Sequence, residues 1–300
     1  VKQLRLKCAI ISINNLPTYS NLNTNISFFK KIYFKILSTI FRPKQALFVL
    51  ESIVILNLAK LFKKKFAPNF FLLGGKNYSS NNILENYRDT SEFIRINSWD
   101  YSYSLRSSKN LNLNKDYIVY ISDGEARYPS DSYLAGSRRV ENSKKLCKVL
   151  CNFFDKVENF YNCEIIIAAH PRSTDDLKYD KDLGNRACFK GYTKELIQNS
   201  KFVVNHGSTS ISFATIYNKP ILYIYSKQES SRNISGMRKL NFISSLLKSK
   251  RINIDNFDDF ENLKIIADKQ AYIKFYSDYV CLKNNLTNSE IISEKLMKKI

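Results

Sequence analysis

Glu164-Ile-Ile-Ile-Ala-Ala-His-Pro-Arg-Ser173 and Lys201-Phe-Val-Val-Asn-His-Gly-Ser-Thr-Ser-Ile-Ser-Phe-Ala-Thr-Ile-Tyr-Asn-Lys-Pro-Ile-Leu-Tyr-Ile-Tyr-Ser226 decide how this chain is read. Each begins with a short apolar run and breaks at a histidine. A continuous apolar run with no polar alternation fits a strand buried on both faces, the usual state of a strand in a parallel sheet. Glu164–Ala169, Phe202–Asn205 and Ile221–Tyr225 meet that description, and Tyr117–Ile121 (YIVYI) adds a fourth run. The segments between them read as helices. From Glu141 to Tyr161, Leu146, Leu150, Phe153, Phe154, Val157, Phe160 and Tyr161 fall at i, i+4, i+7, i+8 spacing. Thr193–Asn199 and Ser210–Tyr217 are shorter helical stretches. Strand and helix alternate, which predicts a mostly parallel α/β sheet covered on both faces. In such sheets ligands gather outside the carboxyl ends of the strands.

The two histidines of the chain, His170 and His206, each follow a predicted strand immediately. Behind His206 come Gly207, Ser208, Thr209 and Ser210 at the expected start of a helix. Free N–H groups and the positive helix end face outward there, so the run reads as a phosphate cradle. An ordinary Ser/Thr cap needs one hydroxyl, and three stand here behind a glycine. No P-loop lysine and no dinucleotide-binding glycine spacing is present. Pro171 closes a turn behind His170, and Arg172 offers fork-like donors to an anion. On this reading the strands ending at Ala169 and Asn205 lie close together in the sheet and bring His170 and Ser208 to one point. Asp123, Glu125 and Asp131 occupy the loop after Tyr117–Ile121, where carboxylates act as bases or hold sugar hydroxyls.

The first third is harder to read. Cys8–Ile13, Asn69–Leu73 and Phe93–Ile96 are candidate strands, and Ser27–Phe41 and Ala46–Phe62 candidate helices. The polar stretch Tyr103–Lys115 reads as a boundary between domain 1–115 and domain 116–300. The chain opens on Val1 rather than Met, which leaves room for a longer start. At 300 residues two domains are the natural expectation. The net charge of +20, from 47 basic and 27 acidic residues, favours anionic partners without choosing among them. Charge alone is a weak ground for nucleic acid, which is not an expected partner. Ala46–Phe62 carries Glu51 and Lys60 and does not read as a membrane span. The six cysteines show no C-x-x-C pair and no zinc spacing, so a reducing, cytoplasmic setting is expected and no metal.

The stretches 165–173 and 190–226 resemble the donor domain of bacterial GT-B glycosyltransferases of surface-polysaccharide assembly. The pairing of His170-Pro171 with Ser208-Thr209-Ser210 is similar to that in sialyltransferases, polysialyltransferases and capsule Kdo transferases. The resemblance covers roughly Tyr117 to Ser226. It implies two Rossmann-like domains facing a cleft, the first on the acceptor side, and a metal-independent transferase without a cofactor. Its donor would be a nucleotide-activated sugar, with a CMP-activated acidic sugar favoured, and its acceptor a growing glycan or lipid-linked chain. Donor binding would fall to His170, Pro171, Arg172, His206, Gly207, Ser208, Thr209 and Ser210, and catalysis to Asp123, Glu125 and His170. It implies further that a C-terminal helix, about Asn288–Lys299, crosses back to the first domain. Peripheral attachment to the inner face of the membrane is expected from charge. A UDP- or GDP-sugar transferase, a polyol-phosphate transferase and a non-catalytic glycan-binding module of this fold remain open alternatives.

Overall fold

The computed structural model describes residues 9–12, 67–77, 87–111, 113, 116–124, 143–173, 178–227 and 234–297. The candidate helices Ser27–Phe41 and Ala46–Phe62, and Glu125 and Asp131, lie outside the described residues. The chain packs as two compact units. The first contains β1 (Ala9–Ser12), β2 (Phe70–Gly74) and β3 (Glu92–Ile96), in the order β1-β2-β3, with β1 and β2 parallel. Gly74–Tyr78 and everything from Ile96 onward group with the second unit.

The second unit opens with α1 (Trp99–Ser104), capped by Ser98, whose hydroxyl accepts from the Tyr101 N–H. Its sheet holds β4 (Tyr117–Ile121), β5 (Glu164–Ala168), β6 (Tyr179–Asp180), β7 (Arg186–Phe189), β8 (Val203–Asn205), β9 (Ile221–Tyr225) and β10 (Lys250–Asn253), in spatial order β10-β9-β8-β4-β5-β7-β6. All pairs are parallel except β6–β7. Numbering the parallel strands along the chain from β4 gives 3-2-1-4-5-6, the Rossmann order. The α/β reading therefore holds.

The sheet is covered on both faces. On one lies α2 (Ser143–Tyr161), which buries Leu146, Cys147, Leu150, Phe153, Phe154 and Val157 against Ile118, Tyr120, Ile165 and Ile167. Phe160 belongs to the same stripe in sequence but is 47% exposed, with its ring against Phe260 at 5.4 Å. On the other face, α3 (Thr193–Asn199) and α4 (Ser212–Ile216) join α5 (Ile234–Leu246) and α6 (Lys269–Phe275) over Val119, Ile121 and Tyr223. Alternate residues of one strand thus feed opposite cores, which explains why these strands show no polar alternation.

Three local features complete this unit. Between β5 and α3 the chain makes the antiparallel pair β6–β7, unread because Arg186 interrupts its apolar run. Arg186 is buried on Glu158, Asp155 and the Phe154 ring. The basic run Lys248–Arg251 turns at Lys248 (φ 48°) into edge strand β10, with Arg251 over the Tyr225 ring. The stretch Tyr103–Lys115 is tied, over its described part, to α3. Lys194 Nζ donates to the Arg106 carbonyl at 2.6 Å, and Lys109 N–H to Glu195 Oε1 at 3.0 Å.

The last helix, α7 (Asn288–Met297), follows a segment stitched to Asn97. The fully buried Asn97 amide donates to the Lys283 and Leu286 carbonyls and accepts from the Leu282 and Lys283 N–H groups. Asn285 N–H reaches the Tyr101 hydroxyl, and Asn288 N–H the Ser102 hydroxyl.

Candidate functional site

In the Rossmann order the crossovers reverse direction between β4 and β8. Loops leaving those two strands part to opposite faces and open a crevice between them. Asp123 leaves β4, and His206 leaves β8. His206 Nδ1 lies 3.2 Å from Asp123 Oδ2, with the imidazole 3% exposed and the carboxylate 30% exposed. The register pairs Ile121 with Asn205, so the two side chains project from neighbouring strand ends at one level.

Local sequence builds both loops. After β4, Ser122 Oγ accepts from the Gly124 N–H at 3.2 Å, and Gly124 turns at φ 95°, which its missing side chain permits. After β8, the buried Asn205 folds the loop onto itself. Its Oδ1 accepts from Gly207 N–H at 3.2 Å and Ser208 N–H at 2.9 Å, and its Nδ2 donates to the Ser208 carbonyl. Ser208 Oγ then accepts from Ser210 N–H, capping the 3₁₀ turn Thr209–Ile211 that runs into α4. A Cβ on Gly207 would stand 3.3 Å from Asp123 Oδ2, so the glycine lets the carboxylate approach the backbone.

These contacts revise the cradle picture. The N–H groups of Gly207, Ser208 and Ser210 are already bonded within the loop. Ser208 acts as a cap, Thr209 is exposed, and Ser210 is half-buried.

A cavity of about 200 Å³ opens beside this loop. Asp123, Asn205, His206, Gly207 and Ser208 form its strand-end wall, and Tyr223 and Tyr225 of β9 its side. Met237, Lys239, Leu240 and Ile243 of α5 close it. Burial pushes the Tyr223 hydroxyl far up, with Tyr272 adding to the shift and Asn205 opposing it, so the phenol stays neutral and can donate. Burial pushes the Lys239 ammonium down. Sequence reading missed both α5 and Lys239. Its segment has weak amphipathic periodicity, with Gly236 and three serines interrupting the apolar positions.

His170 sits at the same carboxyl edge but elsewhere. The strands β5 and β8 do not pair: β4 lies between them, which separates their axes by roughly 10 Å at ordinary strand spacing. His170 is half-buried and is not among the residues lining the cavity. Its Nδ1 accepts from Arg172 N–H at 3.2 Å and its carbonyl from Ser173 N–H at 2.9 Å, closing a tight turn with Pro171 and Arg172 exposed. β4 thus stands between the two strands, and its Asp123 is the side chain that meets His206.

One further carboxylate stands close behind the loop. Asp100 of α1 lies beside the Ser212 hydroxyl at the start of α4, and burial raises its pKa to about 7 against the lowering effect of that hydroxyl. Among the described residues no group of three or more His, Cys, Asp or Glu side chains is arranged to hold a metal ion. No described helix is long and apolar enough to cross a membrane.

No protein-family model matches the chain, and no curated protein matches it. Solved structures give distant likenesses. The glycosyltransferase SnogD from Streptomyces nogalater aligns at TM-score 0.41 and 10% identity, over 80% of this chain and 75% of that one. UDP-GlcNAc 2-epimerase from Methanocaldococcus jannaschii, in complex with UDP-GlcNAc and UDP, aligns at 0.40 and 12%, over 82% and 79%. The β-Kdo 2,7-transferase KpsC from Thermosulfurimonas dismutans aligns at 0.32 and 14%, over 80% and 88%. At such scores the likeness decides neither fold nor function, and the functional reading rests on the crevice between β4 and β8 and the side chains that line it.

Proposed function

We propose that this chain is a glycosyltransferase of GT-B type that binds a nucleotide-activated sugar in the cavity outside β4, β8 and β9. The observation that carries the reading is the contact of Asp123 with His206 at the reversal point of a Rossmann-ordered sheet, on the wall of a cavity. A carboxylate beside an imidazole fixes the ring's orientation and stabilises its protonated form. Such a pair can take a proton from an acceptor hydroxyl as that oxygen bonds to the anomeric carbon. The bond from that carbon to the phosphate oxygen breaks in the same displacement, and the electron pair leaves with the nucleotide. Donors around the cavity then meet the departing charge, the Ser208 hydroxyl and the Lys239 ammonium among them.

At about 200 Å³ the cavity is smaller than the roughly 300–1,000 Å³ usual for a whole drug-sized ligand, so it holds one end of the donor. A CMP-activated acidic sugar is the favoured donor, on the strength of the His-Pro and Ser/Thr motifs. A growing glycan or lipid-linked chain is the favoured acceptor.

Thermal denaturation with CMP, UDP, GDP and a DNA oligonucleotide tests the reading. A ligand at 100 times its Kd stabilises the native state by about 2.7 kcal/mol, which separates binders from non-binders. Stabilisation by one nucleotide, with release of that nucleotide from its sugar conjugate in the presence of a glycan acceptor, is expected. Stabilisation by DNA alone would overturn the proposal.

A further inference from the structure

We infer that Lys239 is the residue by which the cavity recognises its ligand, and that the group it takes is a phosphate ester. This deepens the transferase reading and rests on the same cavity.

The loop that resembles a phosphate cradle has little left to offer. Asn205 and Ser208 already accept the N–H groups of Gly207, Ser208 and Ser210. Charge arriving at the cavity has to be met from another element, and α5 contributes Lys239 to its lining. Lys239 has no hydrogen bond or ion pair among the described residues. It follows Met237 and precedes Leu240 and Ile243, the last two buried in the core. A lysine partly withdrawn from water without a counter-charge is held at a cost, and an anion of the ligand removes that cost. The lowered ammonium is the mark of this state.

Among the described residues, the other ionisable groups lining the cavity do not supply the missing charge. Asp123 is the one carboxylate among the described lining residues, and its Oδ2 lies 3.2 Å from His206 Nδ1. Tyr223 is a neutral phenol, and Tyr225 carries Arg251 over its ring. The cavity therefore sets a cation on its helix wall against an imidazole–carboxylate pair on its strand wall. A phosphate fits toward Lys239 and Ser208, with the hydroxyls of the ligand toward Asp123.

Isothermal titration separates this inference from the transferase reading. CMP and cytidine, UDP and uridine, and inorganic pyrophosphate serve as probes against the wild type, Lys239→Met and Lys239→Arg. The wild type should bind one nucleotide at least tenfold more tightly than its nucleoside. Lys239→Met should reduce that preference to threefold or less, and Lys239→Arg should keep most of it.

Should Lys239→Met fail to fold, pyridoxal 5′-phosphate on the wild type gives the same answer. Its aldehyde condenses with the Nζ amine to an imine with loss of water, borohydride reduces the imine, and peptide mapping finds the label. Lys239 should be labelled and protected by the nucleotide. An unchanged phosphate preference in Lys239→Met, absence of the label from Lys239, or a wild type that binds no phosphate probe overturns the inference. A chain that binds nucleotide through Lys239 yet transfers no sugar leaves the inference standing and overturns the transferase reading.

Discussion

Replacing Asp100 by Asn should stabilise the protein at pH 8 and leave it nearly unchanged at pH 4. Asp100 has its carboxyl enclosed beside Ser212, and burial lifts its pKa from 3.8 to about 7. Between those values the folded protein keeps a proton that the unfolded chain has released. Stability therefore falls as pH rises through that window. Below it both states carry the proton and nothing is lost. Above it both are ionised, and the folded state bears the full cost of a charge held away from water. Carrying the pKa from 3.8 to about 7 sets a ceiling of roughly 4 kcal/mol, and the partial exposure of Asp100 and relaxation around its carboxylate bring it down. Asn keeps the shape and an amide oxygen that accepts from the Ser212 hydroxyl, but never ionises. Urea denaturation of both proteins at pH 4, 6 and 8 gives the comparison, with unfolding reversibility checked at each. The expected gain for Asp100→Asn is near zero at pH 4 and about 1–4 kcal/mol at pH 8. An equal effect at all three values, or a loss at pH 8, would mean that the carboxylate is solvated or paired, and the argument from burial would fail.

Other positions give equally definite expectations. Gly207→Ala places a methyl 3.3 Å from Asp123 Oδ2, and the partly exposed carboxylate can yield. At φ 159° the Gly207 backbone is one that side chains rarely adopt, so stability should fall by about 1–3 kcal/mol, while displacement of Asp123 from His206 lowers turnover by roughly tenfold or more; unchanged turnover would separate Asp123 from the chemistry. Asn97→Ala deletes four buried hydrogen bonds to residues 282–286 and should cost about 2–4 kcal/mol in a urea melt. A loss below about 0.5 kcal/mol would show that the C-terminal segment is held by other contacts. The net charge of +20 predicts binding to anionic liposomes at low salt and release at high salt in flotation. Failure to bind at either salt would leave the charge without a membrane role.

Much of the second unit was legible because parallel strands buried on both faces leave continuous apolar runs. YIVYI, EIIIA and ILYIY became β4, β5 and β9 within a residue. The helix ahead of β5 was legible from a stripe that repeats every three to four residues. Side-by-side order was not legible. Nothing in VVN says on which side of β4 it lies, because both faces of a buried strand are apolar either way. That one ambiguity moved His170 away from Ser208 and brought Asp123 to His206. Asp123 and His206 could be named as strand-end residues, yet their contact depends on strand order. Lys239 carried no signal, since a single lysine in a weakly periodic helix looks like any solvated residue. Only the fold shows that it faces a cavity. The serines behind Gly207 were visible, but not that Asn205, two residues before the glycine, would occupy the Gly207 and Ser208 N–H groups, and Ser208 Oγ that of Ser210.

The central claim is that a nucleotide binds where β4 and β8 part, and a crystal structure with the most stabilising nucleotide tests it most directly. The account predicts phosphate oxygens within hydrogen-bond reach of Ser208 and Lys239, about 3 Å from each, and a sugar-bearing side open toward Asp123. A nucleotide seated instead on the His170–Ser173 turn, with the Asp123–His206 cavity empty, would contradict it.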